Sequence, residues 1–190
     1  KQVAVFSSNY HLYGNMSMRV MDTLRVLADD QLHRCVEVYS VDEAFINLNH
    51  LPLDALQPFA EKIRDVVVKW TGIPVSVGIA PSKVLSKVAN RIAKKDKQKS
   101  QCVLVLDDDE KLQHALMSTD VSDLWGIGRR YARKLKDLYG VNTAWQLKHM
   151  PMEWARKNLG GVVGVRLLRE LKGFESIVME EELVNKKMIA

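Results

Sequence analysis

The 190-residue chain predicts an α+β fold followed by an all-helical segment, on three observations. Up to Leu106 the hydrophobic periodicity switches between the spacing of helices and the alternation of strands, in the order helix, strand, strand, helix, strand, helix, strand. Beyond Asp107 no strand pattern recurs, and short helical stretches are punctuated by glycine. Two short windows, over 83–99 and 125–136, concentrate its positive charge. The first pattern is that of helices layered on one face of a mixed sheet.

Tyr13, Met16, Val20, Leu24 and Leu27 recur at three and four residues and predict an amphipathic helix over 10–27. Val36–Val41 and Ala44–Leu48, β-branched and aromatic, read as two strands with Asp42 and Glu43 at their junction. Leu56, Phe59, Ile63, Val66, Val67 and Trp70 form a helical stripe that Asp54 is placed to cap and Gly72 to stop. Pro74–Ile79 alternates as a strand. Pro81 or Ser82 opens a helix with Val84, Leu85, Val88, Ala89 and Ile92 on its apolar face. Cys102–Leu106 is a last strand. Helical pieces follow over 110–117, 121–125, 129–139, 143–149, 152–159 and 161–171.

Composition limits the function classes. Hydrophobic residues at 47% and charged residues at 27% are those of a globular chain and exclude a mostly disordered one. No apolar run approaches the ~18 to 20 residues of a membrane span, and the first residues lack the pattern of a secretory signal. Cys35 and Cys102 are far apart and flanked by apolar residues, as reduced thiols are. A soluble, cytoplasmic protein without membrane contact is the expectation. The chain opens on Lys1 rather than Met, which points to a trimmed piece of a longer protein.

A net charge of +5 does not by itself announce a nucleic-acid protein, but its distribution does. Lys83, Lys87, Arg91, Lys94, Lys95, Lys97 and Lys99 face one acid, Asp96, in their window. Arg129, Arg130, Arg133, Lys134 and Lys136 face none between Trp125 and Lys136. This is a polyanion footprint.

Three features could carry chemistry, each with a structural alternative. Asp42 and Glu43 at a strand junction make a hard-oxygen site suited to Mg²⁺, which takes one or two carboxylates plus phosphates and water. The same dipeptide also serves as a polar turn. Lys83, Lys87, Arg91 and Lys94 share one helical stripe, readable as a phosphate-facing or a merely solvated face. Gly126-Ile127-Gly128 between helices brings backbone N–H groups to the start of a helix, where an anion is favoured, with Arg129, Arg130 and Lys134 adding cations. The alternative is a tight αα-hairpin turn. Asp107–Glu110 reads as helix capping rather than metal binding, and the five histidines show no metal-ligand spacing.

Tyr39-Ser40-Val41-Asp42-Glu43-Ala44-Phe45 resembles the Y-S-I-D-E-A-F segment of the Y-family, the translesion DNA polymerases. The likeness continues through Gly72–Asn90 and Ala93-Lys94-Lys95, and resumes at Trp125-Gly126-Ile127-Gly128-Arg129-Arg130 and Leu168–Gly173. Phe6–Tyr10 with Leu12-Tyr13-Gly14 makes the chain most similar to the UmuC-type catalytic subunits within that family.

The resemblance implies a partial polymerase palm over 1–107, a connecting helix over 108–118, a helix-hairpin-helix thumb over 119–175 and a linker over 176–190. It implies an error-prone, Mg²⁺-dependent polymerase acting in the SOS response to DNA damage. Asp42 and Glu43 would be the metal-binding and catalytic carboxylates, and Lys94 a contact to the nucleotide triphosphate. Gly126, Ile127, Gly128, Arg129, Arg130 and Lys134 would hold DNA. The implied partners are a DNA template-primer, a deoxynucleoside triphosphate, a UmuD-type accessory protein, a RecA-type filament and a sliding clamp. The family's other metal carboxylate lies in a D-x-N-x-F strand that this sequence does not contain, so the chain alone is expected to be inactive. Two further readings stay open: a non-enzymatic DNA-binding module using the hairpin, and an acidic-turn nucleotide-binding protein.

Overall fold

A computed structural model describes residues 3, 4, 6–29 and 35–180. His33 and the charged run 181–187 lie outside the described residues. The chain packs as two compact units, one from residues up to 50, 65–74 and 179 onward, the other from 51–64 and 75–178.

In the first unit, α1 (Tyr10–Leu27) begins where the Asn9 side chain accepts the Leu12 N–H at 3.0 Å. It buries Val20, Met21 and Thr23, whose hydroxyl donates to the Arg19 carbonyl at 2.8 Å. The strands β1 (Val36–Val38) and β2 (Ala44–Ile46) pair antiparallel, Val36 opposite Ile46 and Val38 opposite Ala44. β1 is shorter than the sequence predicts because Tyr39, Ser40 and Val41 are spent on the connecting turn, and β2 ends at Ile46, before Asn47 and Leu48. The helix α2 (Leu53–Thr71), whose residues 53–64 belong to the second unit and 65–71 to the first, starts one residue before Asp54, which therefore sits in the first turn rather than at the cap. There its charge still complements the helix dipole.

In the second unit, β3 (Val77–Ile79) and β4 (Val103–Val105) pair parallel, joined through α3 (Lys83–Lys95) and a single turn α4 (Lys97–Ser100) that the sequence pattern does not predict. The described strands thus form two two-stranded sheets, where the sequence predicts one mixed sheet. Gly78 is demanded by the packing: a Cβ there would lie 2.1 Å from the Asn90 nitrogen and 2.5 Å from the Ser86 carbonyl oxygen, so β3 can approach α3 this closely only without a side chain. The Ser82 hydroxyl caps α3, accepting from Leu85 N at 3.3 Å.

The remaining helices are α5 (Asp109–Ser118), α6 (Arg129–Tyr139), α7 (Ala144–Lys148), α8 (Met152–Asn158) and α9 (Val162–Leu171), with a 3-10 turn over Val121–Asp123. Asp108 caps α5 by accepting from Lys111 N at 2.7 Å, the role expected of that acidic run. Val84, Leu85 and Val88 of α3 share one core with Leu116, Leu135, Leu147 and Leu168. At 0–3% exposure these side chains each contribute about 1.5–3 kcal/mol, so α3 and the glycine-punctuated helices cohere as one hydrophobic body. Among the described residues no helix is long and apolar enough to cross a membrane.

Candidate functional site

Asp42 and Glu43 close the β1–β2 hairpin. The Glu43 carbonyl accepts both the Tyr39 and the Ser40 N–H at 3.0 Å, which tightens the loop over Ser40–Asp42. Neighbours on a regular strand point to opposite faces, but Asp42 lies in the loop and Glu43 just before β2, so that alternation does not bind them. The Ser40 hydroxyl donates to Asp42 Oδ1 at 2.7 Å and accepts the Asp42 N–H at 3.4 Å, restricting that carboxylate's rotamer. Asp42 is exposed, Glu43 is half-buried, and the Tyr39 and Phe45 rings meet edge to face at 5.7 Å beside them. Two adjacent oxygen-donor groups fit a hard cation that takes its remaining ligands from phosphate and water. No group of three or more His, Cys, Asp or Glu side chains placed to hold a metal occurs among the described residues.

The basic stripe of α3 is divided between packing and exposure. Lys83 is buried and donates to the Val178 carbonyl at 3.0 Å. Lys87 lies 5.8 Å from the centroid of the Trp125 ring, within cation–π range. Arg91 pairs with Asp123. Lys94, in the last turn, is exposed and forms no ion pair among the described residues. The stripe therefore runs from buried Lys83 through half-buried Lys87 to exposed Arg91 and Lys94, with Arg91 engaged by Asp123.

The glycines of the hairpin turn serve different needs. Gly126 has φ +92°, a left-handed conformation that disfavours any side chain. Ile127 is buried in the core, and its N–H donates to the Leu124 carbonyl at 3.0 Å, closing the turn. Gly128 is the N-cap of α6 with φ −77°, and a Cβ there would meet nothing within 4 Å, so neither conformation nor packing requires it. Glycine leaves this helix start without a side-chain cap for its first N–H groups. Arg129, Arg130 and Arg133 are exposed around it.

The other two cations of the window are engaged within the fold. Lys134 donates to the Asn158 carbonyl at 3.2 Å, at the C-terminus of α8, and lies over the Tyr139 ring. A phosphate would compete with that carbonyl for it. Lys136 pairs with Asp120 at 2.8 Å. The Lys136 ammonium, then the Ser122 hydroxyl and N–H, hold the Asp120 carboxyl at about 2.

Sequence reasoning missed Asp120, Asp123 and Glu170. The first two lie just outside the acid-free window and neutralise cations counted as free. Glu170, fully buried, accepts the Ser176, Ile177 and Val84 N–H groups at 2.5, 2.8 and 3.2 Å, joining α9, the segment after it and the start of α3. A Glu three residues after Leu167 and next to Leu171, on the apolar side of its helix, is the signal that marks it.

Known proteins resemble this chain over most of its length. The impB/mucB/samB family model matches residues 1–91, and the family's helix-hairpin-helix motif matches residues 109–141. UmuC of Salmonella typhimurium is 40% identical over 180 residues, covering 94% of this chain and 41% of that protein. ImpB of Salmonella typhimurium is 40% identical over 195 residues, again with only 43% of its length covered. The chain thus spans about two fifths of these relatives. The crystal structure of a DinB family error-prone DNA polymerase from Sulfolobus solfataricus superposes with a TM-score of 0.73 at 26% identity, covering 94% of this chain and 51% of that one. With residues 1–91 and 109–141 matched by its two models, the chain belongs to the impB/mucB/samB family.

Proposed function

We propose that the chain is the palm (1–107) and thumb (119–175) portion of an error-prone translesion DNA polymerase, joined by 108–118 and continued through 176–190. Its reaction is template-directed attack of a primer 3′-hydroxyl on the α-phosphate of a deoxynucleoside triphosphate, with pyrophosphate leaving. The observation that carries the reading is the pair Asp42–Glu43 at a tightened antiparallel turn, within a chain whose relatives and structural neighbours are DNA polymerases. Asp42 and Glu43 would hold Mg²⁺, which when bound supplies charge neutralisation at the phosphates and a more acidic primer hydroxyl.

The chain's own residues do the rest. Ser40 keeps the Asp42 carboxylate in one orientation through its 2.7 Å hydrogen bond. Lys94, exposed at the end of α3, acts as a point charge on the triphosphate and stabilises the negative charge that develops on transfer. The α6 amides behind Gly128, with Arg129, Arg130 and Lys134, hold the DNA backbone without reading its sequence, as template-directed copying requires. A structural neighbour is described as the insertion ternary complex of Dbh DNA polymerase, which supports DNA and nucleotide as joint ligands. For the whole protein, a UmuD-type accessory protein, a RecA-type filament and a sliding clamp are the partners, the cytoplasm the site, and SOS lesion bypass the setting. The chain by itself does not extend a primer.

The test is Mg²⁺-dependent binding of deoxynucleoside triphosphate to a complex of template-primer with the polymerase that carries this chain. Lys94→Ala is expected to weaken nucleotide binding and leave DNA affinity unchanged. Binding of DNA without any Mg²⁺-dependent nucleotide binding would favour the non-enzymatic DNA-binding module.

A further inference from the structure

Lys83, Lys87 and Arg91 recur every four residues along α3, one turn apart, and every one of them is engaged by the segment that carries the glycine hairpin and its continuation. The two contacts nearest Lys94 are made to residues immediately ahead of the turn. Asp123, the last residue of the 3-10 turn, takes Arg91, and Trp125, next to Gly126, takes Lys87. The stretch between them is stiff: Leu124 is buried at 3% exposure, and its carbonyl accepts the Ile127 N–H. Two attachments on successive turns of a helix resist both sliding and rotation, which one attachment cannot do.

We infer that Arg91 with Asp123, and Lys87 with Trp125, fix α3 in register with the hairpin, so that the segment gripping DNA also sets the position of Lys94. Arg91 lies one turn before Lys94, about 4.5 Å along the axis at 1.5 Å per residue. A rotation of α3 that broke the Arg91–Asp123 pair would therefore carry the Lys94 ammonium with it. Arg91 and Asp123 are positioning residues. They touch neither nucleotide nor DNA, and their effect on nucleotide use runs through Lys94. The inference rests on the reading of Lys94 as a triphosphate contact given above.

The experiment uses the polymerase that carries this chain, with Arg91→Ala, Asp123→Ala, the double variant, the exchange Arg91→Asp with Asp123→Arg, and Lys94→Ala alone and with Arg91→Ala. Nucleotide KM, kcat and template-primer affinity are measured for each. An exposed ion pair carries modest energy, so each single alanine is expected to raise nucleotide KM about two- to five-fold, with kcat and DNA affinity unchanged. The double alanine variant should be no worse than either single, the exchange should recover most of the loss, and Arg91→Ala should have no further effect once Lys94 is alanine. An unchanged KM in Lys94→Ala would overturn the nucleotide reading. A raised KM there, with no effect of Arg91→Ala and Asp123→Ala, or with effects independent of Lys94, would leave that reading intact and overturn the positioning role. If a single variant does not fold, the exchange decides: a folded exchange variant with weakened nucleotide use contradicts the inference.

Discussion

Replacing Glu170 tests how the second unit is held together. Its carboxylate is fully buried and accepts three backbone N–H groups, from Ser176, Ile177 and Val84, the last within the first turn of α3. Hydrogen bonds to a charged group contribute about 1.5–3 kcal/mol each, and every buried donor left without an acceptor costs about 1–3 kcal/mol. The three are not additive, because they share one carboxylate and the chain relaxes, so Glu170→Ala is expected to destabilise by about 3–5 kcal/mol. Glu170→Gln keeps one oxygen for Ser176 and Ile177 but turns an NH₂ group toward the Val84 N–H, for a loss of about 2–3 kcal/mol. Urea unfolding followed by tryptophan fluorescence reads the unit directly, since Trp125, Trp145 and Trp154 all pack against its core. At about 2–4 °C per kcal/mol for a chain of this size, the alanine variant should melt on the order of 10 °C lower. Hydrogen exchange should localise the loss to the Val84, Ser176 and Ile177 amides. A loss below about 1 kcal/mol for Glu170→Ala, or undiminished protection at those three amides, would refute the reasoning.

The two hairpin glycines should separate. Gly126→Ala forces a side chain into φ +92° and is expected to cost about 1–2 kcal/mol of stability, whereas Gly128→Ala, at φ −77° in open space, should leave stability unchanged and weaken DNA binding. Thermal melts and a DNA titration in increasing salt check both; Arg129→Ala with Arg130→Ala should flatten the log-log salt slope by about 0.9 for each phosphate that is no longer neutralised. Asp120 supplies a pH dependence. Its folded pKa of about 2 lies below the ordinary 3.8, so its contribution is complete above the unfolded value and disappears as pH falls through about 2. The pair is partly solvated, so Asp120→Asn should cost only about 1 kcal/mol at neutral pH, a difference from the wild type that closes in acid. Equal stability of the two proteins at pH 7 would contradict the assignment.

Periodic and punctuated features were legible in the sequence, and pairings across long sequence distances were not. The stripe from Tyr13 to Leu27 fixes α1 at the bounds observed, and Gly128 and Gly140 bracket α6 as expected. The Asp42–Glu43 dipeptide stands at its strand junction because the residues around it already encode the turn. Strand length was less legible: Tyr39 and Val41 are β-formers by type but are consumed by the loop that the Glu43 carbonyl closes. The fate of the charges was the least legible. Arg91 meets Asp123 across 32 residues and Val84 meets Glu170 across 86, and no local window contains both partners. Counting cations within a window therefore overstated the free positive surface, and only the fold separates Lys94 and Arg129 from Lys83 and Lys136.

The assignment of chemistry to the β1–β2 turn is tested most directly by single-turnover nucleotide incorporation on a preformed template-primer complex. The polymerase that carries this chain is compared with its Asp42→Ala and Glu43→Ala variants under saturating Mg²⁺. Both substitutions should reduce incorporation by several orders of magnitude, because they remove carboxylates that hold the ion at the reacting phosphate. DNA affinity should stay within about two-fold of the wild type, since neither side chain neutralises a backbone phosphate. Incorporation at the wild-type rate by either variant would contradict the account.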